Sequence, residues 1–112
     1  MRCVAEISAL VHATEDLDRF VDALRRFFGD LPYVLERLEG HHGNPIYLIT
    51  ALQTDCAKLL ERLCKSASTA PMPQGDEWFI RLDKQRLMKG EAVPSNSDDV
   101  VRIRIKGGRC GD

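Results

Sequence analysis

The sequence predicts a two-layer α+β sandwich, with two helices packed on one face of a mostly antiparallel sheet. Three segments, 2–13, 77–83 and 100–106, place apolar and polar residues on alternate sides with a period of two, as strands with one wet face do, and the runs 33–39 and 46–52 are strand-like. Two further segments carry apolar residues at helical spacing. The element order is β-α-β-β-α-β-β, and 112 residues suffice for one domain over 1–112 but not for two. The predicted strands cover 2–13, 33–39, 46–52, 77–83 and 100–106.

The two predicted helices are recognised by an apolar stripe and by the residues at their ends. The first has the acidic pair Glu15-Asp16 in its opening turn, where the macrodipole favours negative charge, and it closes at Gly29. The second is capped by Thr54 or Asp55. The apolar stripes consist of Leu17, Phe20, Val21, Leu24, Phe27 and Phe28 in the first helix, and of Cys56, Leu59, Leu60, Leu63 and Cys64 in the second.

The connections between these elements are polar and rich in turn-forming residues. Residues 40–45 are expected to form the wide tip of a hairpin, and 66–76 a flexible loop within the domain. Residues 84–90 are expected to turn helically and 91–99 to form a second polar connection. The tail at 107–112 is expected to fray.

The cysteines and the N-terminal residues indicate the cellular compartment in which the protein is expected. The four cysteines contain no C-x-x-C pair, and Cys56 and Cys64 are expected to be small buried hydrophobes with free thiols. A disulfide between these two is excluded, because positions i and i+8 of a helix lie about 12 Å apart along its axis. The first residues alternate and include a carboxylate, unlike a signal peptide, and no apolar run is long enough to span a membrane. We therefore expect a cytoplasmic protein.

Charge is distributed unevenly along a chain whose net charge is −1. Residues 1–80 hold eight lysines and arginines against twelve carboxylates, whereas 81–111 hold eight against four. If the last two strands pair, Arg81 joins Arg102, Arg104 and Lys106 on the sheet face away from the helices. Like charges repel across strands unless an anion lies among them, and nucleic-acid phosphates are the natural counterpart.

Alternatives to nucleic-acid binding remain open for this basic strand face. It is equally consistent with a solvated face on which Arg102 and Arg104 pair with Glu6, Glu36 or Glu39 of neighbouring strands. Aromatic residues make up only 6% of the chain, which is low for a surface that stacks single-stranded bases. Phe79 shares its predicted face with Arg81 and is the best candidate for stacking one base. Backbone recognition of structured RNA is therefore favoured over sequence readout.

Catalytic motifs are missing from the sequence. It contains no nucleophile with a base, no phosphate-binding glycine loop and no cluster of metal-ligand residues, so we expect no enzyme, no cofactor and no metal. Asp83 lies among cations and could hold a metal or take a proton, but a structural salt bridge needs fewer assumptions. His41 and His42 could likewise act as ligands or as a base, but a solvated turn is favoured.

Three stretches are distinctive in their residue order: His41-His42-Gly43-Asn44-Pro45-Ile46, Phe79-Ile80-Arg81-Leu82-Asp83-Lys84-Gln85 and Asp98-Asp99-Val100-Val101-Arg102-Ile103-Arg104-Ile105-Lys106. Through them the chain resembles an archaeal family of small proteins described as predicted RNA-binding proteins and as a predicted exosome-associated subunit. The resemblance spans nearly the whole chain. It implies an α+β fold akin to that of the large-subunit ribosomal protein numbered five, a role in RNA binding and no known catalysis. It also implies exosome-related or ribosome-related protein partners.

The sequence and the resemblance together predict a non-catalytic RNA-binding protein that contacts a phosphate backbone through the C-terminal basic strand face and the hairpin tip. The alternative is a subunit that docks on a larger protein assembly without touching RNA. No membrane partner is expected, and the oligomeric state stays open, a dimer included. The predicted RNA-contacting residues are Arg81, Lys84, Arg86, Lys89, Arg102, Arg104, Lys106, His41, His42 and Asn44.

Overall fold

A computed structural model of the chain describes residues 3–12, 15–40, 43–65, 72–74 and 77–107. Within these ranges the element order confirms the predicted α+β class and adds one short strand and one short helix. The elements are β1 (Val4–His12), α1 (Leu17–Phe28), β2 (Val34–Glu39), β3 (Pro45–Gln53), α2 (Ala57–Lys65), β4 (Met72–Gln74), β5 (Glu77–Asp83), α3 (Lys84–Met88) and β6 (Val100–Lys106).

The strands form a single sheet in the order β2-β3-β1-β6-β5-β4. All neighbouring strands run antiparallel. β1 therefore lies inside the sheet between β3 and β6, while β2 and the three-residue β4 form the two edges. The pairing of β5 with β6, on which the predicted basic face depends, is present.

Alternation along the strands separates a buried sheet face from an exposed one. In β1 the odd-numbered residues Ala5, Ile7, Ala9 and Val11 are buried, and they pack with Phe20 and Leu24 of α1 in the core between sheet and helices. The even-numbered residues of β1, β3 and β6 and the odd-numbered residues of β5 point the other way. We call this second surface, which no helix covers in the described residues, the open face.

The start of α1 differs in detail from the prediction. Asp16 is the N-cap, because its Oδ1 accepts a hydrogen bond from the backbone N–H of Arg19 at 3.1 Å. Glu15 precedes the helix, and its carboxylate accepts the backbone N–H of His12 at 3.0 Å. The acidic pair is therefore divided between a cap and a loop instead of lying in the first turn. The helix ends before Gly29, whose φ of 97° few other residues adopt.

The free thiols expected at the cysteines are not present. Cys3 and Cys56 form a disulfide with their Cα atoms 5.2 Å apart, and the backbone N–H of Cys56 donates to Cys3 O at 3.1 Å. Cys64 is also disulfide-bonded, and Cys110 lies outside the described residues. The prediction considered only the spacing within α2. It missed that the start of β1 and the start of α2 meet in space across 53 residues of chain.

The predicted loop at 66–76 and the predicted tail at 107–112 lie largely outside the described residues, and part of the loop is a strand. Met72–Gln74 forms β4 against residues 77–79, so the prediction of a loop over 66–76 is wrong for these three residues. The rest of that stretch lies outside the described residues, as does 108–112. Residues 84–88 form α3, which confirms the helical turn expected there. No helix in the described ranges is long and apolar enough to cross a membrane.

Candidate nucleic-acid interface

The register of three central strands brings the predicted strand cations together on the open face. Arg102 of β6 lies directly opposite Arg81 of β5 on one side and Ser8 of β1 on the other. Two residues further along β6, Arg104 lies between Phe79 of β5 and Glu6 of β1. These two cross-strand rows, one through Arg102 and one through Arg104, line a shallow depression of about 510 Å³. The sequence-based prediction that Arg81 and the β6 cations share one face is therefore correct.

Arg81 and Arg102 form the least neutralised part of this surface. Arg81 donates from NH2 to Ser97 O at 3.0 Å, while Asp98 Oδ1 lies 3.9 Å away on a fully exposed side chain. An exposed pair at that distance contributes little. Arg102 forms no salt bridge with any carboxylate in the described part of the chain. Two guanidinium groups thus face each other across a strand pair, an arrangement that repels unless an anion lies between them.

The other two strand cations are largely matched by internal carboxylates. Arg104 lies 3.2 Å from Glu6 and 4.0 Å from Glu77, and Lys106 lies 3.6 Å from Glu77. The alternative of a neutralised, solvated face is therefore correct for this end of β6. Of the partners considered from the sequence, Glu6 pairs with Arg104, whereas Glu36 and Glu39 lie on β2, which β1 and β3 separate from β6.

Lys84 is not part of the open face. Its side chain is fully buried, and its ammonium donates to Leu10 O at 2.6 Å and lies 2.6 Å from Asp99 and 3.1 Å from Glu15. It also lies 5.6 Å from the centre of the Phe20 ring. A buried ammonium with its donors occupied is not available to a phosphate, so the prediction of an RNA contact at Lys84 is withdrawn.

The remaining predicted contacts are dispersed. Arg86 and Lys89 belong to α3 and its C-cap in the helical layer, and Arg86 pairs with Glu91 at 3.5 Å. Asn44 lies at the hairpin tip, six residues before Thr50, which is level with Ser8. At ~3.4 Å per residue, Asn44 is therefore roughly 20 Å along the strand direction from the cross-strand row that contains Ser8, Arg102 and Arg81. His41 and His42 lie outside the described residues.

Asp83 has a structural role that differs from the predicted salt bridge. Its Oδ1 accepts the backbone N–H of Arg86 at 2.9 Å, which makes it the N-cap of α3. No cation of the described chain forms a salt bridge with it. The carboxylate is therefore occupied by the backbone it caps, and the surrounding cations in the sequence are neighbours along the chain only.

The other half of the open face, on β1, β3 and β2, is mostly apolar, although Glu36 and Thr50 also lie on it. Leu10, Val34, Leu38 and Leu52 are exposed there by between 38% and 60% of their surface. β2 is an edge strand, and all six of its residues are exposed. This half was not predicted from the sequence, although the alternation of Leu48 and Leu52 with the buried Ile49 and Ala51 was a signal for it. The open face is thus divided into a cationic half and an apolar half.

Comparison with known proteins agrees with the fold and the family resemblance. A family model described as RNA binding matches residues 4–107. An RNA-binding protein of Pyrococcus abyssi is 29% identical, over 89% of this chain and 78% of that protein. An uncharacterised protein of Methanocaldococcus jannaschii is 25% identical, over 87% of this chain and 78% of its own length.

Solved structures show the same fold. Mth689 of Methanothermobacter thermautotrophicus, a DUF54 protein, has a TM-score of 0.73 and 25% identity, with 92% of this chain and 82% of that chain covered. A DUF54 protein of Sulfolobus solfataricus has a TM-score of 0.75 and 24% identity, with 92% and 86% covered. These are small archaeal α+β proteins. The chain belongs to the family described as RNA binding, whose model spans nearly all of it.

Proposed function

We propose that this chain binds RNA through the cationic half of the open face and holds a backbone phosphate between Arg81 and Arg102. The observation that carries the proposal is the cross-strand opposition of Arg81 and Arg102, of which only Arg81 forms a salt bridge in the described residues, with the exposed Asp98 at 3.9 Å. Guanidinium groups bind phosphate oxygens with charge-assisted, often bidentate hydrogen bonds. A bound phosphate would also remove the repulsion between the two side chains.

The neighbours of this pair support a ligand with a phosphate and a ring. Ser8 lies beside Arg102 and offers a hydroxyl that can donate to a phosphate oxygen. Phe79 lines the same depression and is only partly buried, so one base can stack on it next to the bound phosphate. Arg104 and Lys106 contribute less, because Glu6 and Glu77 already offset their charge.

The experiment is an anisotropy titration of a labelled RNA hairpin with the wild-type chain and with the double variant Arg81→Gln/Arg102→Gln. Losing hydrogen bonds to a charged group is expected to weaken binding by about tenfold or more. The matched control is Arg19→Gln/Lys58→Gln, which removes the same charge from exposed helix positions away from the open face. Equal weakening in both variants would show a diffuse charge effect and would contradict the Arg81–Arg102 site.

A second candidate function, docking on a larger protein assembly, is favoured by one observation. The exposed side chains of Leu10, Val34, Leu38 and Leu52 form an apolar area beside the cationic half, and such areas mark interaction surfaces more often than chance. The family resemblance suggests an exosome-related or ribosome-related protein as the partner. Capture of such a partner that survives nuclease treatment, and that is lost on Val34→Ser/Leu38→Ser but not on Arg81→Gln/Arg102→Gln, would favour docking over RNA binding.

Cytoplasmic location belongs to the same proposal, because the RNA ligand is found there. The disulfide between Cys3 and Cys56 does not argue against it. Disulfides are rare in most cytoplasmic proteins but common in intracellular proteins of hyperthermophilic archaea. No catalytic step is proposed, since Asp83 is occupied as a helix cap.

A further inference from the structure

A second cationic depression lies in the helical layer, between α1, α2 and α3. Its volume is about 400 Å³, and the open face is on the opposite side of the sheet. The floor is apolar and consists of Ala23, Phe27, Leu87 and Met88. The rim carries Arg26 of α1, Arg62 of α2 and Lys89 after α3. Three cations from three different elements therefore converge over one apolar floor.

Arg62 is held rigidly on this rim. Its NH1 donates to Phe27 O at 2.9 Å, so it binds a carbonyl of the last turn of α1. Its guanidinium carbon lies 4.6 Å from the centre of the Phe27 ring, within the range of a cation–π contact. The guanidinium has five N–H donors, and this bond uses one of them. A donor group fixed before binding loses less entropy when a ligand arrives.

The charges around the depression are not balanced by the residues that line it. None of the lining residues, all of which belong to the described chain, is a carboxylate. Arg26 pairs with Asp22 at 3.3 Å, but both side chains are about two-thirds exposed and such pairs are weak. Lys89 forms no salt bridge within the described residues. The depression therefore attracts an anion.

The apolar floor indicates what kind of anion fits. Met88 is only partly buried there, so a bare inorganic ion would leave it uncovered, whereas a ligand with an organic body can cover it while its anionic group reaches the rim. Depressions of a few hundred Å³ accommodate ligands of that size. Arginine guanidinium groups match the geometry of phosphate oxygens.

We infer that this depression binds the phosphate of a nucleoside phosphate, with the phosphate at Arg26, Arg62 and Lys89 and the nucleoside against Met88. The ligand can be a free nucleotide or the phosphorylated end of an RNA strand. The site is separate from the Arg81–Arg102 pair, and the inference does not depend on the function proposed above.

The test is a ¹H–¹⁵N NMR titration of the intact chain with adenosine 5′-monophosphate, with adenosine and with inorganic phosphate. Saturable shifts at residues 23–27 and 87–90 with the nucleotide are expected. The nucleotide affinity obtained from these shifts should fall by about tenfold in Arg26→Gln/Lys89→Gln. It should stay unchanged in the control Arg19→Gln/Lys58→Gln, whose two residues lie outside both cationic areas. Both residues of the test variant are exposed, so the fold should survive the change.

Other outcomes overturn the inference. Shifts confined to residues 79–81 and 102–104 would assign the nucleotide to the open face. Equal binding of inorganic phosphate would show that the apolar floor plays no part. Absence of saturation, or equal weakening in the control variant, would show a diffuse charge effect.

A second experiment compares a short RNA with and without a 5′-phosphate and separates the two sources of the phosphate. Preference for the phosphorylated strand identifies an RNA end as the ligand. Equal binding of the two strands identifies free nucleotide as the ligand.

Discussion

Lys84 joins three segments that are far apart in the sequence. Its ammonium contacts Leu10 at the end of β1, Glu15 before α1 and Asp99 before β6. The contact with Asp99 also anchors the end of the 91–99 connection, whose Ser97 accepts a hydrogen bond from Arg81. Lys84 is therefore a structural residue that helps to position the candidate phosphate site without touching the ligand.

Replacing this lysine should cost stability. Lys84→Met keeps the volume of the stem but leaves Leu10 O and two carboxylates without their cation. Removing one partner of a buried charge network costs about 3–5 kcal/mol, and the partial exposure of Glu15 and Asp99 places this case near 3 kcal/mol. Urea unfolding followed by circular dichroism measures the change. Lys58→Met on the exposed side of α2 is the control and should stay within about 0.5 kcal/mol. Equal stability of the two variants would refute the role of Lys84.

Tyr33 supplies a pH-dependent contribution to stability. Burial raises its pKa to about 12, with Asp30 acting in the same direction and Arg25 opposing it. Its one hydroxyl proton is shared between Gly29 O at 2.9 Å and Leu24 O at 3.1 Å, and ionisation would remove it from both acceptors. Because the folded pKa lies above the unfolded value of 10.0, the contribution is complete below pH 10 and is lost as the pH rises towards 12.

The phenol absorbance near 295 nm measures this effect. The folded wild-type chain should show a step at about pH 12 that is missing in Tyr33→Phe. The stability advantage of the wild type over this variant should shrink between pH 10 and pH 12. Tyr47→Phe is the matched control and should retain the step. A wild-type titration without any component near 12 would contradict the burial of the Tyr33 hydroxyl.

At the scale of secondary structure, the sequence predicted the long elements because each depends on its own residues. Period-two alternation predicted β1, β5 and β6, and the stripe from Leu17 to Phe28 predicted α1. Elements that depend on partners were missed or shortened. The three residues of β4 carry no alternation of their own and become a strand only because β5 lies beside them. The disulfide of Cys3 with Cys56 likewise follows from packing between distant segments.

Removing this disulfide should lower stability strongly. It closes a loop of 53 residues, for which the loss of chain entropy in the unfolded state corresponds to about 4 kcal/mol. For a chain of this size, Cys3→Ser/Cys56→Ser should lower Tm by roughly 15 °C or more without reductant. Peptide mapping of unreduced wild-type protein should show the two cysteines linked. Alkylation of both thiols in native, unreduced protein would show that the bond is not formed.

The candidate site, like the secondary structure, could be predicted where it depends on local pattern and not where it depends on packing between distant segments. The sequence could place Arg81 with Arg102, Arg104 and Lys106, since strand alternation and one pairing fix their common face. It could not separate Lys84, Arg86 and Lys89 from them, because the turn into α3 carries the chain from the sheet to the helical layer. Nor could it predict that Arg26 and Arg62 join Lys89, since this depends on how three helices pack.

For the molecule as a whole, charge is arranged in two separate cationic areas on a chain of net charge −1. The open face has Arg81 and Arg102 on the β5–β6 hairpin, and the helical layer has the Arg26, Arg62 and Lys89 rim. The rest of the chain carries a net negative charge, which disfavours contact with a polyanion. RNA should therefore engage a small, defined set of cations and should not spread over the protein.

A small set of phosphate contacts predicts a shallow dependence of RNA affinity on salt. With two or three phosphates neutralised, the slope of log Kobs against log salt concentration should be about −2. Arg81→Gln/Arg102→Gln should reduce its magnitude by about 1, because it removes the one phosphate contact held between the two arginines and with it close to one counterion from the balance. Arg19→Gln/Lys58→Gln should leave the slope unchanged although it alters the net charge equally. Anisotropy titrations at several salt concentrations measure all three slopes, and a wild-type slope much steeper than this would mean that RNA covers both cationic areas at once.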